Sequence, residues 1–204
     1  MSRLAKRRAG FTLLEITFAV TIFSVIGYAL VDALRMGSNT QATIHDVSTT
    51  SRWVRHVHSL LSSELKVTDE DHLTTTVLAD GNTQLDFMHR IEAAGVSTWG
   101  VHDVSLGPNP EDQNRADWTY RYTVDTLPAG GGAVTRRLLR QLVDEGGTVQ
   151  RTKVLAVDLR RGDGASPGFA VSKAGDMWAI EITGVGRTSN QPGGGTNFHV
   201  KLRN

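Results

Sequence analysis

The sequence predicts an α+β protein, in which one long N-terminal helix is followed by an antiparallel β-sheet region. Three observations lead to this prediction. No proline occurs before Pro108, and the apolar residues of the N-terminal part recur at helical intervals. The later part alternates apolar and polar residues with the period of a strand. Glycine-containing turn signals separate the alternating stretches, which is typical of antiparallel sheets.

The predicted helix covers residues 11–67 and begins with a strongly apolar run. Residues 16–31 carry no charge, and Asp32 is the first charged residue after them. Counted from Phe11, this run has about the 20 residues that a helix needs to cross a hydrocarbon core. We therefore expect a transmembrane segment at about residues 11–31.

After the apolar run, the helix is predicted to become amphipathic. Its apolar residues recur at helical spacing at Ile44, Val47, Val54, Val57, Leu61 and Leu65. We expect this stripe to pack on the sheet. The cluster Asp69-Glu70-Asp71 is expected to end the helix, because carboxylates at a helix C-terminus oppose the macrodipole.

Residues 68–204 are predicted to form the sheet region. Asp80-Gly81-Asn82 lies between two short apolar runs and predicts a hairpin, since glycine tolerates a positive φ. Further turns are expected at 130–132 and 162–164. The other predicted strands are 118–124, 134–143, a more buried strand at 154–159, and an antiparallel pair at 178–182 and 198–202 joined by a flexible loop at 190–195.

The composition limits the possible functions. The formal net charge is +1, so a nucleic-acid partner is not expected. The chain has no cysteine, so the folded part must be held together by its core without disulfides. The basic clusters at 136–140 and 160–161 are expected to be solvated strand edges or turns.

The sequence gives little sign of catalysis or of metal binding. The seven histidines are scattered, and His56 and His58 lie two apart on the predicted helix, where they point to different faces. The acidic residues do not form a spaced calcium-binding loop. Neither a Gly-x-Ser-x-Gly elbow nor a His-Glu-x-x-His motif is present. We expect no enzyme activity, no metal site and no cofactor.

The most informative segment is Gly10-Phe11-Thr12-Leu13-Leu14-Glu15. It follows a basic leader that contains four cations and no acid, and it opens the apolar run. A lone carboxylate such as Glu15 inside a membrane segment is costly and usually functional. An ordinary secretory signal would place its cleavage site after the apolar core instead of before it. A plain signal-anchor helix would give no reason for Glu15.

This N-terminus resembles those of type IV prepilins and type II secretion pseudopilins, and the likeness covers about the first 25 residues. The resemblance implies a pilin-like fold and a leader peptide, residues 1–10, that a prepilin peptidase removes by cutting between Gly10 and Phe11. It also implies N-methylation of Phe11. In the assembled filament, Glu15 would pair with the α-amino group of Phe11 of a neighbouring subunit. Such pairing recovers the desolvation cost of each charge.

Later segments resemble the larger minor subunits of this family. They are the helix end at 60–66, the strand at 120–124, the return strand at 135–138 and the final strand at 198–204. These segments are similar to those of J-type minor pseudopilins and of W-type minor pilins. The chain also differs from the usual major subunits of this family, because it has neither cysteine nor a recognisable calcium-binding C-terminal loop.

The resemblance implies a minor pseudopilin in the tip complex of a type II secretion pseudopilus. The alternatives are a minor pilin that initiates a type IV pilus, and a membrane-anchored periplasmic binding module or enzyme. Expected partners are the prepilin peptidase, sister subunits contacted through their N-terminal helices, inner-membrane lipid, and secreted cargo or the outer-membrane channel. The basic leader predicts a cytoplasmic N-terminus, so residues 68–204 would be periplasmic and the protein a single-pass inner-membrane protein.

Overall fold

A computed structural model describes residues 12–128, 134–159, 167–185 and 192–202 of the chain. The chain divides into two compact units, Met1–Ile44 and His45–Asn204. The predicted turns at 130–132 and 162–164, Arg160 and Arg161, the loop residues Asn190 and Gln191, and the terminal Arg203 and Asn204 lie outside the described residues.

The long N-terminal helix, α1, extends from Leu13 to Leu65 and so agrees closely with the predicted range 11–67. The acidic cluster after it has a different role from the one predicted. Asp69 caps a short 3-10 turn, Glu70–His72, because its carboxylate accepts a hydrogen bond from the backbone N–H of His72 at 3.1 Å. The cluster therefore begins a new turn, and α1 ends four residues earlier.

In the first unit, the described residues of α1 are exposed and most of them, up to Val31, are apolar. The stretch Leu13–Gln41 is the candidate membrane span among the described residues, judged by its length and composition, and none of its most apolar window is buried in the protein. Large apolar side chains such as Phe23 and Tyr28 are 75% and 77% exposed. An apolar surface of this kind needs lipid or another protein surface to cover it.

The second unit contains eleven described strands and one further short helix, α2 (Pro110–Gln113). The strands are β1 Leu73–Val77, β2 Thr83–Phe87, β3 His89–Ala93, β4 Val96–His102, β5 Asn114–Ala116, β6 Thr119–Pro128, β7 Val134–Val143, β8 Val149–Val157, β9 Phe169–Ala174, β10 Met177–Val185 and β11 Pro192–Val200.

The described strands form three sheets, and every pairing is antiparallel. The largest sheet has the order β1-β2-β6-β7-β8, and the two smaller sheets have the orders β11-β10-β9 and β3-β4-β5. The predicted hairpin is confirmed as β1–β2, with Gly81 at a φ of 80° in its turn. The α+β class is therefore confirmed.

The core of the second unit lies between the later part of α1 and the sheets. From α1 it includes Val54, Val57, Leu61 and Leu65, as the amphipathic stripe predicted. The prediction was wrong for Ile44, which is 63% exposed, and the side chain of Val47 lies outside the description. From the sheets it includes Leu73, Leu85, Phe87, Tyr120, Tyr122, Leu138, Leu142, Phe169, Ile180, Ile182 and Val200. The alternation predicted for β6 is also confirmed, because Tyr120 and Tyr122 are buried on the face toward the core.

Several features of the sheets differ from the predictions. Strand β8 begins at Val149, and only its last residues are buried; Val154 is 45% exposed because β8 is an edge strand. Strand β11 begins at Pro192, inside the segment predicted as a loop, and proline is tolerated at the first residue of an edge strand. The small sheet of β3–β5 and strand β9 were not predicted, because their short runs are too polar for a clear alternation.

A buried amide links two of the sheets. The side-chain Oδ1 of Asn82, in the β1–β2 turn, accepts hydrogen bonds from the backbone N–H groups of Gly168 and Phe169, both at 3.0 Å. Asn82 is fully buried, and the carboxylate of Asp80 orients its amide at 2.7 Å. The hairpin turn is thereby fixed to the start of β9, although 86 residues separate the two segments.

Candidate functional site

The structure describes only residues 12–15 of the N-terminal motif on which the resemblance to prepilins is based. Gly10 and Phe11, the predicted cleavage and methylation residues, lie outside the described residues. Glu15 is in the first turn of α1, within the exposed apolar stretch. Its position in the helix agrees with the expectation, while its pairing with a neighbouring subunit stays a prediction.

Glu15 also makes local hydrogen bonds that were not predicted. Its Oε2 accepts hydrogen bonds from the backbone N–H of Thr12 at 2.9 Å and from the Thr12 hydroxyl at 3.0 Å. In return, the Thr12 hydroxyl oxygen accepts a hydrogen bond from the backbone N–H of Glu15 at 3.3 Å. This reciprocal pair is a capping box, which satisfies donors that a helix N-terminus leaves free. The Thr-x-x-Glu spacing at the start of an apolar run is the sequence signal for it.

The other hydroxyl groups near the start of α1 are satisfied within the helix. Thr17, Thr21 and Ser24 donate hydrogen bonds to the backbone carbonyls of Leu13, Thr17 and Val20, at 3.0, 2.8 and 2.8 Å. A polar group that finds its partner on its own helix costs little in an apolar environment. These side chains are therefore compatible with a helix surrounded by lipid or by other helices.

A second polar cluster lies in the second unit, where α1 meets the sheets. Glu64, near the end of α1, pairs with Arg140 of β7, and the distance from Arg140 Nη2 to Glu64 Oε1 is 2.8 Å. Arg140 Nη1 also pairs with Asp103 Oδ2 at 2.7 Å, just after β4. The side chains of these three residues are only 9–11% exposed. Tyr122 of β6 donates a hydrogen bond from its hydroxyl to Glu64 Oε2.

Burial and charge shift the pKa values in this cluster. Burial raises the pKa of the Glu64 carboxyl, and the positive charge of Arg140 opposes the shift without cancelling it. Burial and the neighbouring Glu64 carboxylate raise the pKa of Tyr122 well above its ordinary value. Burial also tends to raise the pKa of Asp103, but hydrogen bonds from Ser105 and Arg140 outweigh it, so that pKa is lowered.

Two aromatic rings extend this buried charge cluster. The Arg140 guanidinium lies over the ring of Tyr120, with 4.5 Å between Cζ and the ring centroid, and the Tyr120 hydroxyl donates a hydrogen bond to the His102 carbonyl. His89 lies beside Tyr120, with 4.6 Å between the ring centroids. Burial lowers the pKa of His89 to about 4, and the buried Nε2 of its ring has no hydrogen-bond partner among the described residues.

The burial of Arg140 corrects a sequence prediction. The cluster 136–140 was expected to be solvated, yet the Arg140 side chain is only 11% exposed and lies between two carboxylates, and Arg136 and Arg137 are half-buried. The sequence did contain a signal for this buried ion pair, because a charged residue occupies an apolar position of the pattern in both the helix and the strand. Glu64 occupies a stripe position seven residues after Val57, and Arg140 stands between Leu138 and Leu142 on the inward face of its strand.

The chemistry of this cluster is that of a structural tie. A buried ion pair needs further hydrogen bonds to offset the desolvation of its charges, and here Tyr122 and Asp103 supply them. Each partner comes from a different element, so the cluster fixes the end of α1 to β6, to β7 and to the turn after β4.

The described histidines have separate surroundings. His72 pairs with Asp69 at 2.7 Å and stacks on Trp99 at 3.9 Å between ring centroids, whereas His102 pairs with Asn114 at 2.7 Å. His56 is exposed on α1, and His89 is buried. Within the described ranges, no three histidine or carboxylate side chains are grouped in a way that could hold a metal ion. The absence of a metal, of a cofactor and of enzyme activity stays a prediction.

Among the described residues of the second unit, two clefts are lined by charged side chains. One of about 440 Å³ is lined by carboxylates that include Asp71, Asp117 and Asp144. The other, of about 340 Å³, lies beside the buried charge cluster and is lined by cations as well as by Asp103. Neither cleft was predicted, because the residues that line each of them are far apart in the sequence.

Comparisons with protein-family models, with curated proteins and with solved structures give no significant match to this chain. The functional interpretation therefore depends on the N-terminal motif and on the structure of the chain itself.

Proposed function

We propose that this chain is a minor pseudopilin of a type II secretion system, which joins the tip complex of the filament through its N-terminal helix. The observation that carries the proposal is Glu15. This carboxylate stands five residues after Gly10, which ends a basic leader, and it opens an exposed helical stretch that carries no other charge until Asp32. A carboxylate inside a membrane segment is costly, and those that occur there usually have a function.

The capping box is compatible with pairing between subunits. Both hydrogen bonds from Thr12 go to Oε2 of Glu15, and Oε1 accepts no hydrogen bond from the described residues. Oε1 can accept one from the α-amino group of Phe11 on a neighbouring subunit after processing. In a low-dielectric surrounding this attraction is much stronger than in water.

The exposed helix supports an assembly role over that of a passive anchor. The candidate span Leu13–Gln41 has 29 residues, which is more than the roughly 20 that a span requires. Side chains beyond a span of that length, such as Leu34 and Met36, are both 66% exposed and offer an apolar surface to sister helices. Packing against such helices would cover this surface when the subunit leaves the bilayer.

The first experiment is to express the full chain with and without a prepilin peptidase and to determine its intact mass and N-terminal sequence. The proposal expects a chain that begins at N-methylated Phe11. Gly10→Val should block this processing. Gly37→Val is the matched control, because a side chain at Gly37 meets open space, and it should be processed normally. A chain that still begins at Met1 in the presence of the peptidase would remove the pilin-like assignment.

The second experiment tests assembly. Glu15→Val should be processed but should fail to co-purify with, or to cross-link to, other filament subunits, and Thr21→Val should behave as wild type. Assembly of Glu15→Val at the wild-type level would contradict the charge-pairing mechanism. The identity of the co-purifying subunits distinguishes the secretion filament from a type IV pilus. A processed chain that meets no filament subunits would support a membrane-anchored module.

A further inference from the structure

The cleft of about 340 Å³ lies on the edge of the largest sheet, between β7–β8 and the turn that follows β4. Three cations line it, Arg140, Arg151 and Lys153, together with the single carboxylate of Asp103. The rest of its lining includes Val104, which is 71% exposed, and Ser105. This combination of positive charge, a hydroxyl group and an exposed apolar side chain can accept an anionic ligand that has an aliphatic stem.

The strand register explains why the cations meet in one place. Lys153 of β8 lies opposite Arg140 of β7, and Arg151 lies opposite Leu142. Directly opposite residues of an antiparallel pair share one face of the sheet. The two exposed cations of β8 therefore share the face of the buried Arg140, at the edge where the strand order of this sheet ends.

The charges of the three cations are not equally available. Arg140 is already neutralised by Glu64 and Asp103, which lie 2.8 and 2.7 Å from its guanidinium nitrogens. The side chains of Arg151 and Lys153 make no hydrogen bond or ion pair with the described residues, and both residues are exposed. The positive charge that faces solvent in this cleft comes from these two side chains.

We propose that this cleft binds an extended acidic segment of another protein, which lies along β8 and places carboxylates opposite Arg151 and Lys153. Residues two apart on a strand are roughly 6.8 Å apart along the chain and point to the same face. This spacing matches acidic residues at alternate positions of an extended segment better than it matches one small anion. As the last of the described strands in its sheet, β8 also presents backbone groups to which an added strand can bind.

The experiment uses the full chain in detergent micelles and a labelled nine-residue peptide in which valine alternates with glutamate. The matched probe is the same peptide with glutamine in place of glutamate. We expect fluorescence anisotropy to detect binding of the glutamate peptide, weaker binding at higher salt, and little binding of the glutamine peptide. The proposal does not depend on the filament role, because it is tested on the chain alone.

The test variant is Arg151→Gln/Lys153→Gln, which should weaken binding of the glutamate peptide by up to about 25-fold, since each of the two exposed ion pairs contributes up to about fivefold. The control is Arg55→Gln/Lys66→Gln, which removes the same charge from exposed positions on α1 and directly after it and should bind as wild type. Unchanged far-UV circular dichroism and an unchanged thermal midpoint show that a variant is folded.

Three outcomes would overturn the proposal. Equal losses in the test and control variants would mean that binding follows net charge alone. Competition by inorganic phosphate at the same concentration as the peptide would indicate a small-anion site. No binding of either peptide would leave Arg151 and Lys153 as charges that protect an open edge strand from aggregation.

Discussion

Two of the four carboxylates of helix α1, Glu15 and Glu64, lie in opposite surroundings. Glu15 is on the exposed apolar part, and its described hydrogen bonds are to a residue three positions away. Glu64 is buried against the sheets, and its partners Tyr122 and Arg140 are 58 and 76 residues away. A local partner can be identified from spacing along the sequence, whereas a distant partner depends on the whole fold. The two sites should therefore respond differently to substitution.

The largest expected effect is on the buried charge cluster. Arg140→Met should lower the free energy of unfolding of the second unit by about 3–5 kcal/mol, because it leaves Glu64 and Asp103 buried without their cation. Urea unfolding followed by tryptophan fluorescence measures this, since all four tryptophans lie after residue 45. Arg90→Met, at an exposed strand position, is the control. A loss below about 1 kcal/mol would mean that the cluster is not a structural tie.

The second prediction concerns pH and His89, which lies beside this cluster. Because burial lowers its pKa from 6.5 to about 4, the folded state binds fewer protons than the unfolded state between these values. The corresponding stability is present above pH 6.5 and is lost as pH falls through about 4, with a maximum of about 3 kcal/mol. The raised pKa of Glu64 acts in the opposite direction over its own range.

Urea unfolding at several values between about pH 7 and pH 4 measures this dependence. His89→Phe should flatten the loss of stability at acid pH, and the exposed His56→Phe should leave it as in wild type. If wild type and His89→Phe show the same slope, another group is responsible.

The third prediction separates the hydrogen bond from the ion pair. Tyr122→Phe keeps the ring in the core but removes the donor to Glu64 Oε2, which should cost about 1–3 kcal/mol of unfolding free energy. Thermal unfolding compared with Tyr28→Phe, an exposed tyrosine of the first unit, gives the measurement. A larger loss than that of Arg140→Met would reverse the order of the two interactions.

The smallest effect on unfolding is expected at the capping box. Thr12→Val removes the hydroxyl that bonds with Glu15, so amide hydrogen exchange in the first turn of α1 should become several-fold faster. Thr12→Ser should preserve the slow exchange. The unfolding midpoint of the second unit should be the same in both variants, and a shift in it would show that the two carboxylate sites are coupled.

The sequence was informative where structure is determined locally. The range of α1, the hairpin at Gly81, strand β7 and the antiparallel pair β10–β11 follow from periodicity and turn residues, and the structure has them. The pairing of Arg140 with Glu64, the bridge from Asn82 to β9 and both clefts join residues far apart in the chain. Nothing in a single sequence specifies which distant residues meet, although a charged residue at an apolar pattern position marks where a partner is needed.

The position of the last described strand has a consequence for how the chain reaches its folded state. Val200 and Leu202 are buried in the same hydrophobic core as Val57 and Leu61. This core cannot be completed until the chain has been synthesised as far as Leu202. Folding of the second unit is therefore expected to wait for its last described strand, and to be slow because its contacts are distant in sequence. Until then its unpaired strands depend on chaperones for protection from aggregation and proteolysis.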